Sequence, residues 1–120
     1  MLKESEVEKI LVDQVKRLGG RAYKWVSPGN DGVPDRIVIL PEQPAMFVEL
    51  KTDIGRLSSL QKVQIGRLQE LGQPVYVVYG VTGLVQFFRD IGQGVIAQRG
   101  SKQNILWNSS HAGYKGGDVT

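Results

Sequence analysis

The sequence predicts an α/β fold in which a mixed β-sheet is flanked by helices. Stretches with helical spacing of apolar residues alternate with short apolar stretches rich in β-branched residues. Glycine or proline separates most of these stretches. The resulting order is α-β-β-β-α-β-α, and a chain of 120 residues suffices for one domain with one core.

The composition excludes several classes of protein. The chain has no cysteine, which rules out disulfides and thiolate metal sites and suits a reducing compartment. No apolar run approaches the roughly 20 residues that span a bilayer. Three of the first six residues, Lys3, Glu4 and Glu6, are charged, so we expect no signal peptide and a cytoplasmic protein. A net charge of +3 permits nucleic-acid binding without requiring it.

The first half of the chain reads as a helix followed by three strands. Residues 3–18 form the helix, which Gly19 and Gly20 end, and its apolar stripe is Val7, Ile10, Leu11, Val15 and Leu18. Residues 21–26 form a first strand, and the turn-forming run 27–32 leads to Pro34. Residues 33–40 and 46–51 form the next two strands.

The second half supplies a helix, a strand and a short helix. Residues 58–71 form the first of these helices, with an expected inner stripe of Leu60, Val63, Leu68 and Leu71. The apolar run 74–79 reads as a strand covered on both faces. The short helix opens at Thr82 and carries Leu84, Val85, Phe87 and Phe88.

We expect residues 1–91 to form the domain and residues 92–120 to be a glycine-rich, partly flexible extension. Trp107 in this extension is either a docked anchor or a partner contact. His111, the only histidine, falls in the expected tail, so we expect no catalytic or metal role for it.

The second and third strands bring two acidic residues together. If residues 40–44 form the loop of an antiparallel pair, Asp35 lies opposite Glu49 on the same face, with Cβ atoms roughly 5 Å apart. Lys51 shares that face, because it lies two residues beyond Glu49. Like charges in such positions destabilise a sheet, so their presence indicates a divalent metal site. Alternatively, Asp35 is a turn residue and Glu49 and Lys51 lie on a solvated strand face.

The same residues carry a family resemblance. Pro34-Asp35 followed by Glu49-Leu50-Lys51 resembles the PD-(D/E)XK nuclease superfamily. Three further runs resemble its VRR-NUC branch: residues 32–36, residues 47–51, and Gly55-Arg56-Leu57-Ser58-x-x-Gln61. The opening residues 4–7 are similar as well, so the resemblance covers about residues 4–90. It implies a restriction-endonuclease-like core.

The resemblance also implies roles for individual residues. Asp35 and Glu49, with the backbone carbonyl of Leu50, would hold Mg²⁺ or Mn²⁺, which hard oxygen ligands suit. Lys51 would stabilise negative charge on the phosphate or position the attacking water, and general-base action by Lys51 is the less favoured role.

Two auxiliary site residues have alternatives. Gln61 matches the family's glutamine, although Ser58-x-x-Gln61 also fits a capping box at a helix start. Nuclease relatives often supply one more acid from the first helix. Glu8 is our choice for it, Glu4 is the competitor, and both could equally be helix surface.

Basic side chains near the site are candidates for binding the nucleic-acid backbone, although each could be ordinary surface. They are Lys24, Arg36, Arg56, Lys62 and Arg67. Tyr23 and Trp25 either stack on bases or belong to the core, and the core is favoured.

The sequence therefore predicts a metal-dependent endonuclease acting on DNA. Small stand-alone members of the branch resemble Holliday-junction resolvases, which implies a homodimer acting on branched DNA. They also suit a phage, which would place the protein in a host cytoplasm. The alternatives are a non-catalytic DNA-binding module, a nuclease without structure selectivity, and an interaction domain with no nucleic-acid partner.

Overall fold

The elements follow the predicted order. The computed structural model describes the backbone of residues 1–100 and the side chains of residues 1–91. In chain order the elements are α1 (Glu4–Arg17), β1 (Arg21–Lys24), β2 (Arg36–Ile39), β3 (Met46–Lys51), α2 (Ser59–Glu70), β4 (Val75–Tyr79) and α3 (Gly80–Gly100). The α/β fold is thus confirmed. The expectations for Trp107 and for the tail around His111 lie outside the described residues.

The four strands form one mixed sheet in the order β1-β2-β3-β4. The pairs β1–β2 and β2–β3 are antiparallel, whereas β4 runs parallel to β3. A parallel neighbour needs a crossover connection, and α2 provides it. The predicted register of β2 and β3 is confirmed, because Arg36 pairs with Val48 and Ile37 pairs with Phe47.

The core lies between one face of the sheet and the helices α1 and α3. Alternate strand residues point into it, as the period of two requires. Its members include Val7, Leu11 and Val15 of α1, Val38, Val48, Leu50 and Val78 of the sheet, and Leu84 and Phe87 of α3. Ile10, which we assigned to the stripe of the first helix, is exposed.

The inner face of α2 differs from the predicted one. Only Ile65 of this helix is buried, whereas Leu60, Val63 and Leu71 are exposed. The inward positions are Gln61, Ile65 and Leu68, which are spaced at i, i+4 and i+7, so only Leu68 of the predicted stripe faces inward. The polar Gln61 takes a place where apolar periodicity predicts a hydrophobic residue, and this rotates the helix away from the expected stripe.

The last helix is longer than predicted. It begins at Gly80 rather than Thr82 and runs to Gly100, so the expected boundary after residue 91 falls inside it. Gly80 has a φ of 61°, and a Cβ at this position would collide with the carboxylate of Asp53. The chain therefore needs glycine where β4 turns into α3.

Candidate active site

The site lies where β2 and β3 part at one end of the sheet. Asp35 directly precedes β2, and continuing the β2–β3 register by one residue places it opposite Glu49. Residues directly opposite share a face, so the two carboxyl groups lie together. The structure thereby gives the arrangement that the sequence predicts for these acids.

Pro34 explains why the backbone pairing of β2 with β3 stops at this point. Trp25 donates its N–H to the carbonyl of Asp35 at 3.0 Å, so the backbone groups of Asp35 point toward β1 and those of residue 34 toward β3. Continued register places Pro34 opposite Leu50. Proline has no N–H, so it cannot donate a hydrogen bond to the Leu50 carbonyl. The Leu50 N–H donates to the side chain of Asp35, with 2.8 Å between the nitrogen and Oδ2.

Glu49 is the buried acid of the site, with its side chain only 1% exposed. Its Oε1 atom is buried without a hydrogen-bond partner. Burial, followed by the nearby charge of Asp35, raises the pKa of Glu49 to about 8. A buried acceptor without a partner is unfavourable, which indicates that this oxygen is placed for a ligand.

Asp35 is perturbed in the same direction. Burial is the main cause that raises its pKa above the usual value, and the Leu50 N–H acts in the opposite direction by stabilising the carboxylate. Burial and mutual repulsion thus disfavour the ionised forms of both carboxyl groups, and a bound cation would stabilise those ionised forms.

Lys51 supplies a positive charge beside this pair. Its Nζ lies 3.8 Å from Glu49 Oε2, and its side chain is 12% exposed. The loop after β3 packs against its aliphatic stem, since a Cβ at Gly55 would lie 3.3 Å from Lys51 Cδ. The ammonium group is thus held next to the acids by its surroundings.

Gln61 makes hydrogen bonds both to the helix start and to the predicted site. Its Oε1 accepts the N–H of Ser58 at 2.8 Å, and Ser58 Oγ accepts the N–H of Gln61 at 3.1 Å, which together form a capping box. Its Nε2 donates to Glu49 Oε2 at 2.9 Å. Because the capping box engages Oε1, the amide can only present its donor to Glu49.

The acids of α1 flank the site from the other side. Glu8 Oε2 accepts from Arg36 Nε at 2.7 Å and lies 3.5 Å from Lys24 Nζ. The charge of Glu8 contributes to the raised pKa of Asp35, and the charge of Glu4 contributes to that of Glu49. Both helix acids are therefore close enough to act on the charge of the pair, and the choice between them stays a prediction.

The basic candidates fall into two groups. The Arg36 side chain is largely buried, and its guanidinium also donates to the Ala22 carbonyl at 2.9 Å. Lys24 is exposed beside it. Arg56 and Lys62 are exposed near the start of α2. Tyr23 is exposed, and the half-buried Trp25 ring packs against Phe47 with 5.3 Å between centroids, outside the main core cluster, so the expectation that both aromatic residues belong to the core is wrong.

The donor set fits a hard divalent cation. Asp35 and Glu49 offer carboxylate oxygens, one of them an unpartnered buried atom, and the Leu50 carbonyl lies opposite a residue that cannot donate to it. Among the described residues no three Asp, Glu, His or Cys side chains are grouped as a metal-binding cluster. A cation here would therefore rely on the two carboxylates and on backbone or water oxygens.

Comparison with known proteins assigns the chain to a family. The model of the VRR-NUC domain matches residues 3–82. The chain belongs to the VRR-NUC family. This VRR-NUC domain is 44% identical over 78 residues to p44, a proposed nuclease of Acyrthosiphon pisum secondary endosymbiont phage 1, spanning 65% of this chain and 84% of p44.

Two solved structures, both described as VRR-NUC domains, share its fold. The first has a TM-score of 0.66 and 30% identity, covering 75% of this chain and 97% of its own. The second has a TM-score of 0.62 and 21% identity, covering 74% and 87% respectively. The resemblance inferred from the motifs is therefore confirmed.

Sequence reasoning missed three features of the VRR-NUC site. It did not foresee that Arg36 and Lys24 converge on Glu8, because contacts between α1 and the sheet depend on packing. It treated the two functions of Gln61 as alternatives. It also did not predict that Gly32 packs against α2, although the glycine itself was visible in the motif.

Proposed function

We propose that this chain is a Mg²⁺- or Mn²⁺-dependent endonuclease that hydrolyses DNA phosphodiester bonds and selects branched DNA such as Holliday junctions. The observation that carries the proposal is the pairing of Asp35 with the buried Glu49, whose Oε1 has no partner. Membership of the VRR-NUC family and the similarity to p44 support a nuclease.

Each site residue has a role in this proposal. Asp35, Glu49 and the Leu50 carbonyl would hold the cation, which would supply a Lewis acid and lower the pKa of a bound water. Gln61 fixes the orientation of the Glu49 carboxylate. Lys51 places its ammonium beside the acids, where it stabilises the negative charge that develops on the phosphate. Glu8 would complete the site, with Glu4 as the alternative.

Lys24, Arg36, Arg56 and Lys62 would contact the phosphate backbone around the site. In the free protein Glu8 holds Arg36 and Lys24, so these two would bind DNA only if that contact loosens. Arg56 and Lys62 are exposed and directly accessible. Such contacts add affinity without reading sequence.

Selection of junctions would require two sites related by a two-fold axis, and we propose a homodimer for this reason. Val81 and Val85, exposed at the start of α3, are candidate interface residues.

None of the described helices is long and apolar enough to cross a membrane. The phage origin of p44 suits a protein that acts in the cytoplasm of an infected host. Residues 92–120 would be an extension of the nuclease domain.

The test is cleavage of four substrates by wild type and by Lys51→Ala. Labelled four-way junction, flap, duplex and single-stranded DNA are incubated with Mg²⁺ or Mn²⁺. We expect preferential junction cleavage by wild type and a loss of about 10²- to 10³-fold in Lys51→Ala, because a charge-stabilising group is removed. Lys9→Ala is the control, since Lys9 pairs with Asp13 on the exposed surface of α1.

The outcomes separate the alternatives. Binding without cleavage by wild type would favour a non-catalytic DNA-binding module. Equal cleavage of all four substrates would remove junction selectivity and leave a general nuclease. Cleavage that survives Lys51→Ala would place the chemistry elsewhere. A monomer by light scattering in the presence of junction DNA would contradict the homodimer.

A further inference from the structure

Gly32, in the motif run of residues 32–36, packs against α2 beside the site but supplies no chemical group to it. Gly32 has a φ of 96° and lies in the loop between β1 and β2, three residues before Asp35. A Cβ at this position would lie 2.6 Å from the carbonyl carbon and oxygen of Leu60 and 2.9 Å from the backbone nitrogen of Gln61. The loop backbone therefore packs directly on the first turn of α2.

The atoms that Gly32 approaches are backbone atoms of a capped helix. A side-chain tip could rotate away from an added methyl group, but the Leu60 carbonyl and the Gln61 amide cannot move without the helix turn. The same Gln61 N–H donates to Ser58 Oγ in the capping box. A methyl group at position 32 would thus displace the turn that carries the Gln61 side chain.

Displacing this turn would change the contact between Gln61 and Glu49. The Nε2–Oε2 distance is 2.9 Å, and the capping box ties the other end of the amide to Ser58. Glu49 is almost fully buried, and Gln61 donates directly to its Oε2, so this contact helps to set the orientation of the carboxyl group. Outer partners of this kind orient the groups that bind a metal.

We propose that Gly32 is a positioning residue that seats the first turn of α2 so that Gln61 orients Glu49. The loop that carries Gly32 continues directly into Pro34 and Asp35. This contact therefore also sets the distance between the segment that supplies Asp35 and the helix α2, which supplies Gln61. The role rests on the proposed nuclease function for its effect on activity, but the geometry it predicts can be observed without activity.

Gly29 provides a matched control in the same loop. It also has a positive φ, at 84°, but an added Cβ would meet nothing within 4 Å. Gly29→Ala therefore imposes a comparable backbone strain without contacting α2. Any effect found in Gly32→Ala but not in Gly29→Ala is due to the packing against the helix.

The experiment compares Gly32→Ala, Gly29→Ala, Gln61→Ala and the double variant Gly32→Ala/Gln61→Ala in the full chain. The first readout is the side-chain amide resonance of Gln61 in metal-free protein, assigned by its loss in Gln61→Ala. We expect Gly32→Ala to move it toward the position of a solvent-exposed glutamine, whereas Gly29→Ala leaves it unchanged.

The second readout is DNA cleavage with Mn²⁺. Gly32→Ala should lose about 10- to 100-fold in rate, as is typical when a partner of a metal-binding group is lost. The double variant should be no slower than Gln61→Ala alone, because both changes break the same contact.

Three results would overturn the positioning role. The first is an unchanged Gln61 resonance in Gly32→Ala. The second is losses that multiply in the double variant. The third is a Gly32→Ala chain that does not fold beside a folded Gly29→Ala chain, since position 32 would then serve the fold as a whole. Absence of cleavage by wild type would reject the proposed nuclease function but leave the resonance test valid.

Discussion

At the scale of single residues, burial of Glu49 couples stability to pH. Its folded-state pKa of about 8 lies above the ordinary value of 4.5, so the metal-free folded protein holds this proton more tightly than the unfolded chain does. The contribution of Glu49 to the free energy of unfolding should therefore be largest below pH 4.5 and fall as the pH rises toward 8. The change in Asp35 has the same direction.

The first prediction concerns Glu49→Gln in metal-free protein. The neutral amide cannot ionise, so we expect the fall in the free energy of unfolding between pH 5 and pH 8 to shrink by more than about 1 kcal/mol. Urea unfolding across this range measures it. Glu70→Gln, at the exposed end of α2, should retain the wild-type slope, and a wild-type slope in Glu49→Gln would contradict the shifted pKa.

The second prediction separates Glu8 from Glu4. Glu8→Gln should weaken Mn²⁺ binding, measured by calorimetry, by about 10-fold or more, whereas Glu4→Gln should have the smaller effect. Because Glu8 also pairs with Arg36, its loss should lower stability as well, and the free energy of unfolding is measured in parallel. Weaker Mn²⁺ binding in Glu4→Gln alone would show that our choice of Glu8 is wrong.

At the scale of elements, the capping box of α2 serves both the helix and the site. Ser58→Ala should destabilise the protein by about 1 kcal/mol, the usual effect of losing an N-cap side chain. Ser59→Ala is the matched control, because Ser59 is the next residue and lies inside the helix. Urea unfolding compares the two, and equal losses would show that the Ser58 side chain has no special role.

The elements also show which parts of the fold the sequence can predict. The register of β2 and β3 follows from loop length and period, and both are local properties, so the opposition of Asp35 and Glu49 was predictable. The inner face of α2 was not, because Gln61 is polar and its inward orientation results from a contact with Glu49, 12 residues away. Periodicity of apolar residues cannot detect a helix that is oriented by a polar contact.

At the scale of the whole molecule, the position of exposed charge should control DNA affinity. Arg56→Ala should weaken DNA binding and reduce the slope of log affinity against log salt by about 1, if Arg56 contacts a phosphate. Arg17→Ala is the control, because Arg17 lies at the far end of α1, about 20 Å along the helix from Glu4. Equal salt slopes for both variants would show that Arg56 does not contact a phosphate.

The pairing of Glu8 with Arg36 and Lys24 could not be predicted from the sequence. The Glu8–Arg36 contact joins residues 28 positions apart across the contact of α1 with the sheet, and charge alone does not say which helix acid pairs with which strand. The side of the sheet on which α1 packs is decided by its apolar stripe, and the ion pairs follow from that packing.

The buried carboxyl group of Glu49 also predicts a change in the pH of the surrounding solution when a cation binds. A carboxyl group with a pKa of about 8 carries its proton at neutral pH, but it must lose that proton to bind a cation. Loading would therefore be an exchange, in which each cation bound returns a proton to the solvent. In a weakly buffered sample, the uptake of Mg²⁺ would register as acidification, with no DNA present.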